Sequence, residues 1–574
     1  MKTRFFIILY VIGISKLGAV DQQITLEARL SDEYQSGRIT RVEYVAYSLM
    51  GLMLSEQLPQ RYQHYRSQSR LGSGLLFEAR ALYEEASTAD RHLLQEVLSR
   101  PDFTPLTRTS PSGRFMIHFT DTGSHATADT FVTQIAATYD SVFKFITENL
   151  SFNAPPIDDI SSPEYDVYVY DIGDYGMTTP EQPAPSASYP NAYTSYIHMD
   201  NTFDNTYAKG VDAMQVTAAH EFLHMVQIGY RSHTTTEYDS RWLFEGTATW
   251  MEDTAYDDVN DYVQYIPHYF ISLDKSFYTF NGLHEYGSCL FYHMLDQKYG
   301  LDIIRSIWEN FAKNNVFDAV ETALEAVGSS FALELGDHMI WNYFTELRAD
   351  PERYYDEGEL YPLVEADKSF EIESQLNPSV VLEPAGAFYW KITPLKFGQL
   401  SIIPNSESPH WMYAVINQQK GGEAEVFLSS ASQSLLLSQM SPSNDLFLVP
   451  TQVSFPGYEN ETIDFSLDLG EGEGLSAGIK SIFPNPYNPQ LHSRGLSIDV
   501  RLLDKTKRIQ YYILDENGGL VYSNRLQLDT PRNGDFTLFW TGGNQNGERV
   551  SPGIYIVYID AEQDIKPKSV AVVY

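Results

Sequence analysis

Thr217–Tyr230 reads TAAHEFLHMVQIGY, an apolar stretch that nevertheless carries two histidines and a glutamate. Burying a polar or charged side chain without a partner is destabilising, so such groups normally have one. His220, Glu221 and His224 form the pattern HExxH. On a helix, residues four apart lie on one face, one turn from each other, so both imidazoles can reach the same ion. The stretch therefore predicts a buried helix whose histidines bind zinc.

A catalytic zinc site needs a third protein ligand and keeps one position open for water. The metzincin pattern would require glycine at position 227 and histidine at position 230, where this chain has Gln227 and Tyr230. The sequence SRWLFEGTATWMED, residues 240–253, instead offers Glu245 about twenty residues downstream, among apolar neighbours. We expect Glu245 to point inward as the third ligand, and Glu252 and Asp253 to lie at the solvated end of the same helix.

The acid between the two histidines predicts the chemistry of the site. Glu221 is the expected general base, which takes a proton from a zinc-bound water and passes it to the leaving amine. Zinc lowers the pKa of such a water to about 7, so hydroxide is available at neutral pH. This arrangement predicts hydrolysis of peptide bonds.

Together, TAAHEFLHMVQ and WLFEGTATWMED resemble the gluzincin metallopeptidases, the thermolysin-like clan, and most of all secreted bacterial members that carry EGTATWMED. The resemblance covers roughly residues 110–299. It implies that His220, His224 and Glu245 are the metal ligands and that Glu221 is the general base. It also implies that YTSYIHMDN, residues 193–201, is the edge strand on which an extended peptide substrate pairs.

One position departs from the thermolysin pattern. Thermolysin has an aspartate four residues after its third ligand, which orients the first histidine, and this chain has Thr249 there. The group that orients His220 must then come from elsewhere, and Asp253 is the candidate that the sequence offers.

A gluzincin also needs a donor for the oxyanion that forms on the scissile carbonyl. The segment GLHEYGSCLFYHML, residues 282–295, offers Tyr286 and His284, of which we prefer Tyr286; Tyr238 is a third candidate. Aminopeptidase relatives use an acid on the edge strand to hold the substrate's amine. Asp200 is the acid in that place, but we expect it to form a turn or to bind calcium, and we therefore favour an endopeptidase.

Composition excludes one class of partner and bounds the number of domains. The chain has 574 residues and a formal net charge of −37 at pH 7. This length predicts three or four domains. A nucleic acid needs a basic face, so nucleic-acid binding is excluded, and the acidic excess favours a soluble monomer.

The amino terminus and the cysteine content predict an exported protein without disulfides. Lys2 and Arg4 precede the apolar run Phe5–Ile14, and this order is typical of a secretory signal peptide, which we assign to residues 1–19. No other apolar run is long enough to span a membrane. Cys289 is the single cysteine, so no internal disulfide can form, and we expect it to be a buried apolar side chain.

Hydrophobic periodicity divides the rest of the chain. Residues 20–105 carry helical spacing and form either a permanent helical region or a removable pro-segment. Residues 106–350 are the expected gluzincin-like catalytic domain, in which TTPEQPAPSASYPNA, residues 178–192, is predicted to be a loop. From 365 to 470 the period is two, which predicts a β-sandwich, and GEGEG, residues 470–474, is predicted to be a flexible joint.

The last hundred residues, 475–574, have a second resemblance. IKSIFPNPYNPQ and FWTGGNQNGERVSPGIYIVYI resemble the sorting domains of the type IX secretion system, which are Ig-like sandwiches similar to the FlgD-type module. Turns are predicted at Asn517-Gly518, Asn533-Gly534 and Asn546-Gly547. The resemblance implies export by the type IX machinery across the outer membrane of a Gram-negative bacterium, followed by release or surface attachment.

The sequence as a whole predicts a multidomain secreted protein. Its expected fold is an α+β zincin domain with a helical amino-terminal region and two carboxy-terminal β-sandwich modules. Its expected function is that of a zinc metalloendopeptidase acting on proteins or peptides, with the need for calcium left open. The alternative from another class is a surface-binding or adhesive protein that has kept a zincin scaffold without turnover.

Overall fold

The chain was analysed as a computed structural model that describes residues 25–574 except 66, 68–71, 159–161, 234–238, 407, 420–422, 456–457, 471–477, 491, 493–494 and 562–564. The predicted signal peptide, Tyr238 and the predicted joint beyond Gly470 lie outside the described residues. The described chain is multidomain and α+β, and it forms two compact units. The first unit runs through Tyr269 and includes Thr279–Tyr292 and Phe311–Val316, and the second comprises Phe270–Tyr278, His293–Asn310 and Phe317–Tyr574.

Four helices form the amino-terminal region of the first unit, as the spacing of apolar residues predicts: α1 Leu26–Gln35, α2 Arg41–Met53, α3 Gly72–Glu85 and α4 Thr88–Leu98. Local chemistry explains where two of them begin. Thr40 and Glu43 form a capping box at the start of α2. The Ser87 side chain accepts a hydrogen bond from the Asp90 N–H and so caps the start of α4.

A five-stranded sheet follows, with strands β1 Leu106–Thr109, β2 Phe115–Phe119, β3 Tyr165–Val169, β4 Gly176–Pro183 and β5 Tyr193–Met199. The strands are arranged in the order β1-β2-β3-β5-β4. β2, β3 and β5 run parallel, whereas β4 pairs antiparallel with β5.

Two expectations about this sheet are wrong. Residues 176–183 form a strand although they were predicted to lie partly in a loop, and β4 rather than β5 is the edge strand. Pro180 and Pro183 have no backbone N–H to donate to a neighbouring strand. For that reason proline in a strand is found at sheet edges. The prolines therefore mark an edge strand here and not a break in the sheet.

Helices cover both faces of this sheet. On one face, Tyr168, Tyr170, Met177 and Tyr196 belong to the same buried cluster as the side chains of the four amino-terminal helices. On the other face, helix α5 Asp129–Phe143 and the helix that carries HExxH pack through aromatic contacts. There the ring of Phe115 lies 5.1 Å from that of Tyr139 and 5.6 Å from that of Phe222. The amino-terminal helices are thus a layer of the first unit.

The remaining helices are α6 Gly210–Tyr230, α7 Arg241–Ala255, α8 Ile266–Phe270, α9 His284–Gly287, α10 Cys289–Tyr299, α11 Asp302–Phe311, α12 Val316–Ala326 and α13 Phe331–Tyr343. Cys289 is fully buried, and burial raises the pKa of its thiol. Within the described residues, no helix is both long and apolar enough to cross a membrane.

Two five-stranded sheets occupy residues 368–470. Their strands are β6 Lys368–Ile372, β7 Gln375–Leu376, β8 Ser379–Leu382, β9 Trp390–Pro394, β10 Gly398–Pro404, β11 Trp411–Gln419, β12 Ala424–Ser430, β13 Leu435–Met440, β14 Asn444–Gln452 and β15 Glu461–Gly470. β10 and β15 belong to one sheet, and β9, β11 and β14 to the other. Buried side chains from both sheets, among them Trp390, Trp411 and Phe465, form one core.

The last region has a sheet and a core of its own. Its strands are β16 Gly478–Phe483, β17 Leu496–Asp515, β18 Leu520–Trp540, β19 Gly553–Asp560 and β20 Lys568–Val572. Turns are present at Gly518 and Gly547, both with positive φ. The turn predicted at Asn533-Gly534 is wrong, because the backbone continues through β18 there and Gly534 pairs with Leu502. Irregular register between β17 and β18 accommodates this segment without a turn.

The shared core bears on whether the amino-terminal region is a pro-segment. A protein that begins at Ser99 would expose the apolar side chains that Tyr168, Tyr170, Ile172, Met177 and Tyr196 bury against the helices. We expect this truncated chain to be insoluble or to lack a cooperative thermal transition, because each buried apolar side chain contributes about 1.5–3 kcal/mol. Soluble yield and melting followed by circular dichroism measure this.

A milder change tests the same interface without a deletion. Leu76 is fully buried in the cluster, and Leu76→Ala should lower the free energy of unfolding by about 2–5 kcal/mol. A soluble truncated protein with an unchanged melting transition would show instead that the region is removable.

Candidate metal centre

Helix α6 brings the HExxH residues together in the interior of the first unit. His220, Glu221 and His224 are 7%, 4% and 0% exposed, respectively. The two imidazole rings lie edge to face with centroids 4.6 Å apart, as the spacing of four residues predicts. Three polar side chains are therefore buried on one helix, and their partners come both from other elements and from Gln227 on α6 itself.

Helix α7 supplies the third member of the cluster. Glu245 is fully buried, and its Oε2 lies 3.2 Å from His220 Nε2 and 3.3 Å from His224 Nε2. Ligands about 2.0–2.1 Å from a tetrahedral zinc ion are about 3.3–3.4 Å from one another. The structure therefore brings the three predicted ligands to the separation that one zinc ion requires.

Unsatisfied polar atoms point to the same place. Among the described residues, His224 Nε2 and Glu245 Oε1 are buried nitrogen and oxygen atoms without a hydrogen-bond partner. Such atoms are rare because each costs roughly 1–3 kcal/mol. His220, His224 and Glu245 form a group whose ligand atoms all lie within 4.8 Å of one another. The residues present fit a zinc ion by chemistry and by spacing.

The other nitrogen of each imidazole is hydrogen-bonded to an acceptor. His220 Nδ1 donates to Glu252 Oε1 at 2.6 Å, and His224 Nδ1 donates to Gln227 Oε1 at 2.6 Å. Because each Nδ1 carries the proton, the Nε2 lone pair of a neutral imidazole is directed at the position between the ligands. Such outer partners fix the tautomer and orientation of metal-binding histidines.

The partner of His220 corrects the sequence analysis. Asp253 was the expected orienting acid, and Glu252 was expected at the solvated end, but both are buried and it is Glu252 that contacts His220. The reason is helical geometry: Glu252 follows Glu245 by seven residues, about two turns, so both project from one face of α7. Thr249 is buried but supplies no bond to the histidine.

Gln227 connects the two helices of the site. Its Nε2 donates to the Phe244 carbonyl oxygen at 3.1 Å and to Thr247 Oγ1 at 3.0 Å, while its Oε1 accepts from His224. The residue that excluded the metzincin pattern therefore holds α6 and α7 in register, one turn away from the ligands.

The electrostatics of the cluster favour a cation. Burial alone would raise the pKa of Glu245, but the two imidazoles outweigh this and hold it at about 2. Burial alone would lower the pKa of His220, but Glu245 and Glu252 raise it well above its ordinary value. The carboxylates thus favour positive charge at the position between the ligands, where a zinc ion would replace the proton.

Glu221 is held by two hydroxyl groups that the sequence did not reveal. Thr178 Oγ1 on β4 lies 2.7 Å from Glu221 Oε2, and Ser73 Oγ on α3 lies 3.1 Å from the same oxygen. Strand β4 also comes very close, because a Cβ at Gly176 would lie 2.7 Å from Glu221 Cγ. Only glycine fits at this point beside the general base.

A cleft that opens to solvent lies against the candidate metal centre. Its lining includes His220, Glu221, Gly176 and Tyr286. The Tyr286 ring is stacked on that of Tyr265, 4.9 Å away, and lies 6.1 Å from the His220 ring. One of the two candidate oxyanion donors in segment 282–295 is therefore at the cleft.

The other candidates lie elsewhere or outside the described residues. His284 is 1% exposed, packs against Tyr269 at 4.9 Å, and is not among the described residues that line the cleft. Tyr238 lies outside the described residues. Asp200 accepts hydrogen bonds from the backbone N–H groups of Thr202 and Phe203, so it forms the turn that was expected as one of its two roles.

Comparison with known proteins adds little to this geometry. A family model described as "Family of unknown function (DUF6055)" matches residues 121–332, less than half of the chain but with all three metal-ligand candidates and Glu221 inside it. A search of curated proteins finds no match.

Solved structures give only weak likenesses. PorZ of Porphyromonas gingivalis, a surface component of its type-IX secretion system, is 21% identical over 19% of this chain and 14% of its own, with a TM-score of 0.13. Latent PorU of the same organism is 14% identical over 36% and 19%, with a TM-score of 0.16. The periplasmic lysozyme inhibitor PliG of Salmonella Typhimurium is 11% identical over 18% and 100%, with a TM-score of 0.13. The chain spans only a small part of PorZ and PorU, and TM-scores this low carry no argument about fold or function.

The orienting role of Glu252 can be measured through zinc affinity. Glu252→Gln should weaken zinc binding by about 10–100-fold, since loss of an outer partner of a metal-binding histidine has this effect. Competition with a chromophoric chelator gives the affinity.

The neighbouring acid provides the control. Asp253→Asn removes the same charge one position along α7, about 100° around the helix from Glu252, and should leave zinc affinity unchanged. Equal losses in both variants would show that net charge, and not the bond to His220, is what matters.

Proposed function

We propose that this protein is a secreted zinc metalloendopeptidase of the gluzincin type. The observation that carries the proposal is the convergence of His220, His224 and Glu245 at zinc-ligand spacing, with Glu221 beside them at an open cleft. A structural zinc site is normally closed by four protein ligands, whereas a catalytic site has three and an open position. The cleft is the reason for preferring catalysis to a purely structural role.

The chain's own residues divide the work as follows. Zinc held by the three ligands would supply a Lewis acid that polarises the scissile carbonyl and lowers the pKa of water to about 7. Glu221 takes the proton of the attacking water and delivers it to the leaving amine. Thr178 and Ser73 hold Glu221 Oε2, so Oε1 is the oxygen that carries this proton.

Tyr286 is the proposed donor to the oxyanion. Burial, together with the charge of Glu245, raises the pKa of its hydroxyl well above the usual value. The phenol therefore keeps its proton at neutral pH and can donate it as a hydrogen bond to the developing negative charge. Its stacking on Tyr265 fixes the ring beside the metal centre.

The substrate is proposed to pair with β4 and not with β5. β4 is the outermost strand of the sheet and begins beside Glu221. An extended peptide can add to such an edge through backbone hydrogen bonds. Asp200, after β5, accepts backbone hydrogen bonds in a turn, and Glu181, the carboxylate of β4, is paired with Arg100. Both acids are thus engaged within the protein, which supports an endopeptidase.

For the carboxy-terminal region, we propose a type IX sorting domain that directs export across the outer membrane of a Gram-negative cell. The proposal rests on the sequence resemblance over about residues 478–574. A separate core and the glycine turn at Gly547 are compatible with an independent module of this kind. The two sheets of residues 368–470, which share one core, are proposed to be the β-sandwich that precedes it.

The decisive variant is Glu221→Gln. It should retain zinc but lose peptide cleavage by about 10²–10⁴-fold, because the amide cannot act as a base. The purified protein is incubated with a mixed peptide library and with unfolded casein, products are read by mass spectrometry, and zinc is measured by elemental analysis. Internal cleavage sites in both substrates are the result expected of an endopeptidase.

Other outcomes decide between the alternatives. Removal of single residues from peptides with a free amino terminus, and from these alone, would mean an aminopeptidase. If the zinc-loaded wild type and Glu221→Gln are equally inert, the peptidase proposal fails and an adhesive protein on a zincin scaffold is favoured.

The role of Tyr286 is tested by removing only its hydroxyl. Tyr286→Phe should lower kcat by about 10²–10³-fold with little change in KM, because the bond to the oxyanion exists only in the transition state. His284→Gln is the comparison, and we expect its kcat to stay near that of the wild type. A larger loss of kcat in the His284 variant would transfer the role to that residue.

A further inference from the structure

The amino-terminal helices contribute a polar side chain to the candidate active site. Ser73 lies in the first turn of α3, is 4% exposed and lines the cleft. Its Oγ is 3.1 Å from Glu221 Oε2 and 2.9 Å from the backbone nitrogen of Thr178. A hydroxyl group has one proton to donate. Because the Thr178 N–H donates to Ser73, the proton of Ser73 is available for the Glu221 carboxylate.

Two hydroxyl groups therefore bind the same oxygen of Glu221. Thr178 Oγ1 lies 2.7 Å from Glu221 Oε2 and 3.0 Å from the Glu221 carbonyl oxygen. With Ser73 on the other side, Oε2 is fixed by two donors, and hydrogen bonds to a charged group are the stronger kind. The orientation of the carboxylate is thereby set, and Oε1 is the oxygen that neither hydroxyl binds.

The first turn of α3 is itself held tightly in place. A Cβ at Gly72 would lie 2.3 Å from Met177 Cγ, and one at Gly74 would lie 2.3 Å from the Phe280 ring. One turn further on, the Phe77 ring packs edge to face on His224 at 5.2 Å. Glu78 then pairs with Arg241 of α7 at 2.8 Å. Ser73 is thus placed by contacts with the edge strand and with both helices of the metal centre.

We propose that Ser73 is a positioning residue for the general base, and that the amino-terminal helical region is for this reason a permanent part of the active site. The proposal rests on the proposed peptidase function and adds to it a residue from a segment that sequence alone could equally assign to a removable pro-segment. Ser73 does not touch the reacting atoms. It acts by holding Glu221 in the orientation from which Oε1 can take the proton of water.

The test measures turnover of the full-length, zinc-loaded protein on a quenched fluorescent peptide that contains a bond cleaved in the library digest. Ser73→Ala should lower kcat by about 10–100-fold, as expected for a lost hydrogen bond to a charged group. KM should change by less than about twofold, and zinc content should equal that of the wild type. The split between kcat and KM separates positioning of the base from loss of substrate binding.

A matched control addresses simple destabilisation. Ser87→Ala makes the same substitution in the same helical region and removes the amino-terminal cap of α4. It should lower the melting temperature while leaving kcat unchanged. If Ser73→Ala does not fold, Ser73→Cys takes its place, because the thiol keeps the shape of the side chain but is only a weak donor. It too should lose kcat at unchanged KM.

The outcomes separate this proposal from the proposed function. If the wild type cleaves peptides and the Ser73 variant that folds keeps at least half of the wild-type kcat, the positioning role is wrong and the peptidase function stands. If Ser87→Ala loses as much kcat as the Ser73 variants, the effect is structural and the positioning role is again wrong. A failure of the peptidase function itself would already appear in the comparison of wild type with Glu221→Gln.

Discussion

The first unit depends on one geometric condition, which is that His220, His224 and Glu245 converge. The Glu245 carboxylate lies 3.2 Å from His220 Nε2 and 3.3 Å from His224 Nε2. Bringing a carboxylate and two imidazoles out of water costs several kcal/mol per charged group, and only close opposite charge offsets this. A zinc ion would provide that charge, and the bonds to Glu252 and Gln227 set the direction of the two lone pairs. The bonds from Gln227 to Phe244 and Thr247 keep α6 and α7 in this register.

The edge strand β4 is subject to a second constraint. It must be protected against unwanted pairing with other chains, and it must remain accessible to a substrate. Exposed edges invite unwanted pairing, and proteins cover them or place proline in them. Here Pro180 and Pro183 lie in β4, and Ser73 occupies the N–H of Thr178. Gly176, at the start of the same strand, adjoins Glu221 and the cleft. The edge is thus closed along part of its length and open next to the general base, where a substrate would bind.

How far sequence could predict this site depends on how far apart the interacting residues are in the chain. The helix with HExxH and the downstream acid follow from local spacing, and so the three ligand candidates were identifiable. Glu252 could have been identified as well, because it follows Glu245 by two helical turns. Its place near the end of the helix predicted exposure to solvent instead. Ser73 was not, since 148 residues separate it from Glu221 and a lone serine in a helix carries no signal. The prediction of a loop over β4 was wrong because an edge strand tolerates proline, whereas a central strand does not.

These contacts also link metal binding to the integrity of the whole unit. A ligand that binds only the folded state stabilises it by roughly 4 kcal/mol at a concentration 1,000 times its dissociation constant. In this protein the stabilised groups include His224, which packs on Phe77, and Glu221, which accepts from Ser73. Both partners, Phe77 and Ser73, belong to α3. This helix and the other amino-terminal helices share a buried core with the sheet. Zinc bound between α6 and α7 would therefore also stabilise the amino-terminal helices, and loosening those helices would directly disturb Glu221 and His224.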